Sequence, residues 1–64
     1  MEESRALIRY LLAKEESERA DKEWVEYGLR SPSDQAQGWH ERMRLAHIEL
    51  DLARRALRDI VKAD

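Results

Sequence analysis

Two histidines, four serines and a dense population of carboxylates are the residues of this chain with the capacity for chemistry. His40 and His47 are seven apart, so on one helix they share a face but stand about 10 Å apart along its axis. One metal ion cannot be held by both. Helical metal pairs use spacings of three or four, as in Glu-x-x-His, whereas the residues three before each histidine are Gln37 and Arg44. His47 and Asp51 do have i, i+4 spacing, which leaves a site shared across a symmetric interface as an open arrangement. Solvent-facing histidines beside a carboxylate are the simpler expectation, with no metal and no cofactor. Catalysis has less to build on. There is no Cys nucleophile and no Gly-rich phosphate loop. Of Ser4, Ser17, Ser31 and Ser33, two are better explained by the turn described below. Without a cleft, a pair of helices cannot desolvate a substrate. The expectation is a protein that is not an enzyme.

Charge is distributed unevenly. Residues 14–23 read KEESERADKE, and with Glu26 this stretch carries Glu15, Glu16, Glu18, Asp21, Glu23 and Glu26 against Lys14, Arg19 and Lys22. Glu15 with Arg19 and Glu18 with Lys22 have the favourable i, i+4 order, and the stretch reads as a solvated helix face. At the other end of the chain Arg54, Arg55, Arg58 and Lys62 outnumber Asp59. Cations in a last turn suit the helix dipole. Together with Arg5 and Arg9 they also form a candidate patch for phosphate or an acidic partner. No aromatic residue interleaves with them, so nucleic acid is the weaker reading.

These side chains need elements to carry them. The chain has 64 residues, 41% charged and 42% hydrophobic, with a formal net charge of -2 and no Phe or Cys. Thr and Asn are missing too, a bias that suits a designed chain as well as a GC-rich natural gene. Abundant Ala, Leu, Glu and Arg point to helix. A chain this short is one domain, 1–64, and buries only about 60% of the surface its unfolded form exposes. Its near-neutral balance creates no global field for nucleic acid or an anionic membrane. The longest apolar runs near the start are broken by Arg9 and are too short to span a bilayer, and Glu2 and Glu3 do not suit a signal peptide. A soluble cytoplasmic protein that does not engage membranes is expected.

The only proline and both glycines fall within YGLRSPSDQAQGW, residues 27–39. Gly28 suits the left-handed position that ends a helix, with Leu29 folding back on Trp24. Ser31 suits an N-cap, Pro32 the first helical position and Asp34 the third. Helices over about 3–27 and 32–62 follow, joined tightly enough to lie antiparallel. Ala6, Tyr10, Ala13, Ser17, Ala20, Trp24 and Tyr27 recur at alternating steps of four and three. So do Ala36, Trp39, Met43, Ala46, Leu50, Ala53, Leu57 and Ile60. This is the period of coiled-coil packing. Folding the chain back sets Trp24 level with Ala36, Ala20 with Trp39, Ser17 with Met43, Ala13 with Ala46, Tyr10 with Leu50 and Ala6 with Ala53. The fold class is therefore all-α, an antiparallel two-helix hairpin with an alanine-rich seam.

Apolar residues remain that this seam does not use. Ile8, Leu12, Leu45, Ile48, Leu52 and Ala56 fall at similar heights on one broad side, and a contiguous apolar cluster marks an interface. Two hairpins pairing there would make a four-helix bundle homodimer. In outline, such a hairpin resembles the plasmid copy-control Rop proteins, and the resemblance, which covers architecture only, implies pairing into a four-helix bundle and RNA binding. The functional expectation is a small adaptor, inhibitor or regulator that binds itself and another protein. A nucleic-acid-binding dimer and a metal- or small-molecule-binding bundle are the alternatives.

Overall fold

Helix propensity and the two seams act together to give two long helices and almost nothing else. The computed structural model describes residues 2–63: α1 spans Glu2–Glu26, a short 3-10 turn covers Gly28–Arg30, and α2 spans Ser33–Ala63. The helices pack side by side as an antiparallel hairpin whose Cα atoms extend 49 × 13 × 12 Å. Among the described residues, no helix is long and apolar enough to cross a membrane.

The core follows the seam. Ala6, Ala13, Ala20, Ala46 and Ala53 are buried, and Ala53 has no exposed surface. Ser17 is buried among them and donates its hydroxyl to the Lys14 carbonyl at 2.9 Å. That bond meets its polar requirement inside the helix, so Ser17 packs as a slightly larger alanine. The larger seam residues Tyr10, Trp24, Trp39, Met43, Leu50, Leu57 and Ile60 are half-buried. Tyr27 departs from the expectation: it is exposed, because α1 ends one residue before it, and its ring lies 5.4 Å from that of Trp39.

The turn falls where the breakers fall but is built differently from the expected one. No glycine among the described residues has positive φ, so Gly28 does not end α1 in the left-handed conformation. The Arg30 N–H bonds the Tyr27 carbonyl and the Ser31 N–H bonds that of Gly28, a tightening of the helix end that satisfies part of its unpaired carbonyls. Leu29 does not fold back; it is 65% exposed. Gly28 is needed for another reason: a Cβ there would lie 2.2 Å from Cε3 of Trp24, whose ring covers the turn. Ser31 also changes role. Its hydroxyl donates to the Tyr27 carbonyl at 2.6 Å, closing α1. The first bond of α2 runs from the Ala36 N–H to the Pro32 carbonyl, so Pro32 occupies the cap position expected for Ser31.

The two glycines should therefore respond with opposite signs to the same change. Gly28→Ala forces the Trp24 ring out of place and should cost on the order of 1–3 kcal/mol, as overpacking does. A Cβ at Gly38, inside α2, would meet nothing within 4 Å. Gly38→Ala should therefore stabilise by up to about 1 kcal/mol through helix propensity. Thermal melts of both variants check the pair.

Candidate interaction surface

Residues flanking a heptad seam meet across it, and on each side of this hairpin they do. On one flank the Arg9 guanidinium bonds the Glu49 carboxylate through two nitrogens, at 2.7 and 3.2 Å. Towards the bend, fourteen residues along α1 and seven along α2, Glu23 accepts from Arg42 at 3.4 Å. Arg42 also lies 5.2 Å from the centre of the Trp39 ring, so its planar cation is held by an acid and an aromatic face together. The opposite flank holds His47, whose Nε2 is 2.7 Å from Oδ1 of Asp21. Nearer the bend on that flank, the rings of His40 and Trp24 meet edge to face at 5.4 Å.

The histidines are thus occupied separately, one by a carboxylate of the facing helix and one by an aromatic ring. Asp51, the expected i, i+4 neighbour of His47, is instead bound by Arg55 at 3.1 Å. Among the described residues no group of three or more His, Cys, Asp or Glu side chains gathers to hold a metal ion. In the acidic stretch, Arg19 bridges both Glu15, at 3.9 Å, and Glu16, at 3.5 Å.

The apolar cluster is exposed and is interrupted by charge. Ile8, Leu12, Leu45 and Leu52 are each about half exposed, Ile48 somewhat less, and Ala56 is half-buried. Leu12 is three residues from Arg9, and Leu45 and Leu52 stand four before and three after Glu49. The Arg9–Glu49 pair therefore lies between the leucines of the two helices, like a clasp over the seam. Ile8 and Leu12 line a shallow depression with Arg5, Arg9 and Glu49. Leu45 lines a second depression with Glu49, Arg19, Glu23 and Arg42. Ile48, seven residues before Arg55 and so in line with it, belongs to the back of α2 rather than to this flank.

The basic residues are not brought together. Arg5 and Arg9 lie on the flank of the leucine cluster, and Arg9 is spent on Glu49. Arg54 is seven beyond His47, which puts it on the opposite flank. Arg55 and Lys62, also seven apart, follow the back of α2, and Arg58 continues the row of Asp51. The six cations thus surround the open end of the hairpin and do not form one plane against which a duplex would lie.

Neither clasp was visible from spacing within a single helix, where attention falls on i, i+4 partners. The signal was nonetheless partly present: positions 9 and 23 are fourteen apart on α1, and 42 and 49 are seven apart on α2, so all four line one flank of the seam. Hydrogen bonding from Arg9 holds the Glu49 carboxyl below the ordinary glutamate value and raises that of the Arg9 guanidinium. Because the folded-state value of Glu49 is depressed, the clasp stabilises above the unfolded glutamate pKa, near about 4.3. Its contribution is lost as pH falls through the lowered value. The difference in melting temperature between the native chain and Arg9→Gln should therefore be present at neutral pH and vanish in acid. The Arg44–Glu41 pair has the same acid sensitivity through a depressed Glu41, but it is local to α2 and cannot hold the helices together.

The fold and its surface define an all-α helical hairpin with a small-residue seam and an exposed, clasped leucine flank. No family model matches the sequence, and no curated protein or solved structure compared with it matches either.

Proposed function

We propose that this chain is a non-enzymatic interaction module, which pairs with a second copy into a four-helix assembly and acts by binding another protein. An adaptor, inhibitor or regulator answers to this description. One observation carries it. Among the described residues the buried core consists of five alanines and a serine, and no large side chain is fully buried, while Ile8, Leu12, Leu45 and Leu52 stand about half exposed. Burying a Leu or Ile side chain is worth roughly 1.5–3 kcal/mol, and a methyl group far less. A chain of this size seldom gains more than about 3–5 kcal/mol from a full core, and this core is not full. The stabilisation missing from the single hairpin is available on its leucine flank.

Sedimentation equilibrium with concentration-dependent thermal melts tests the first half. Dimers and a melting temperature that rises with protein concentration are expected, since association stabilises by mass action. A chain that sediments as a stable monomer at micromolar concentration would refute the reading. Affinity recovery from the native host, with and without nuclease, tests the second half. One protein partner retained despite nuclease is the expected result, and nuclease-sensitive recovery would transfer the function to nucleic acid.

A further inference from the structure

The orientation of the two copies is open to argument from shape and charge, given the self-association just proposed, on which this inference rests. The broad side of the hairpin measures 49 by 13 Å between outer Cα atoms. That is roughly 600 Å² in projection, and burying it on both copies gives about 1,200 Å², the lower end of what stable interfaces bury. Partial or end-to-end overlap falls short of that threshold. Two rods that must overlap along their whole length have two symmetric choices: bend beside bend, or bend beside open end.

The apolar cluster permits either choice. Leu45 and Leu12 lie 12 and 14 residues from the ends of the helices at the bend, about 18–21 Å along the axis, and Ile8 and Leu52 lie about 27–28 Å along it. They straddle the middle of the 49 Å rod, so a two-fold axis through them sets each cluster on its copy in both arrangements.

Charge distinguishes the two. The half containing the bend, residues 15–48, carries eight acids against five bases, and the acids concentrate in α1 from Glu15 to Glu26. The open half, residues 1–14 and 49–64, carries six acids against seven bases. Bend beside bend therefore stacks two acidic halves at a helix spacing of 8–10 Å, close to one Debye length at physiological salt, where repulsion is only partly screened. Bend beside open end places each acidic half against a basic one. Arg5, which shares a depression with Ile8 and Leu12, then faces the partner's acidic stretch around Glu16 and Glu23. We infer that two hairpins associate through the Leu12–Leu52 flank with their bends at opposite ends of the assembly.

The absence of native cysteine allows a direct measurement. Ser33→Cys introduces a single thiol at the bend, on an exposed residue outside the leucine flank. With a spin label there, the pulsed dipolar distance between copies should approach the 49 Å length of one hairpin. Bend beside bend would instead give less than about 20 Å, two helix diameters. A short distance overturns the orientation but leaves self-association standing. No inter-copy distance, with a monomer mass in sedimentation, overturns both. Gln37→Cys, another exposed position near the bend, repeats the reading should a label at 33 disturb the turn, and circular dichroism confirms that each labelled chain keeps its helices.

Discussion

Replacing Leu12 and Leu52 with glutamate is expected to give a chain that sediments as a monomer and loses most of its helical signal. Neither side chain belongs to the hairpin's own core: Leu12 is 61% exposed and Leu52 47%. In an isolated hairpin, two surface substitutions of this kind would change stability by no more than about half a kcal/mol each. If the leucine flank is buried between copies, the same changes place four carboxylates in one apolar interface. Burial of unpaired charge costs several kcal/mol per ion in real proteins, so association should be abolished. Each released hairpin then has only its alanine seam, and helices without tertiary packing are marginal in water even at favourable composition. Loss of mass and loss of helicity should therefore occur together, and both should partly recover below about pH 4, where the new glutamates are neutral. A double variant that keeps the native melting curve would place the interface elsewhere. The opposite flank, with Leu7 and Leu11 exposed, would then be the next to test.

The seam was legible because one physical requirement, burying a stripe with a period of 3.5 residues, fixes residue size and position together. Ala6, Ala13, Ser17, Ala20, Ala46 and Ala53 are the small residues of that stripe and are the buried ones. The bend was legible as a location but not as a geometry. A glycine after a helix serves equally a left-handed backbone or a close-lying ring, and only coordinates distinguish the two at Gly28. Ser31 shows a similar limit: a serine between two helices can close the first or open the second, and here its hydroxyl closes the first. The cross-seam contacts Arg9–Glu49 and Asp21–His47 depend on the relative height of two helices, a tertiary quantity that no single-helix spacing contains. The leucine flank was readable as a set of residues, but the ion pair that divides it was not.

Ala53→Leu is expected to be among the most damaging single substitutions in the chain, although leucine is nearly as good a helix former as alanine. Ala53 has no exposed surface and is the most completely buried seam residue among those described, one turn along α2 from Glu49 of the clasp. A seam whose buried residues are alanines and a serine lets two helix axes approach towards the lower end of the usual 8–10 Å spacing. A leucine there has no cavity to enter. It must push the helices apart, which would break the clasp and thin the contacts at Ala13 and Ala46, or take a strained rotamer, and such overpacking costs about 1–3 kcal/mol. For a domain of this size each kcal/mol shifts the melting temperature by roughly 4–8 °C, so a fall of order 5–20 °C is predicted. Arg58→Leu, an exposed position five residues further along α2, controls for hydrophobicity and propensity and should leave the melt nearly unchanged. A rise in stability for Ala53→Leu would mean that the seam has room for larger side chains, and that the close approach of α1 and α2 does not hold in solution.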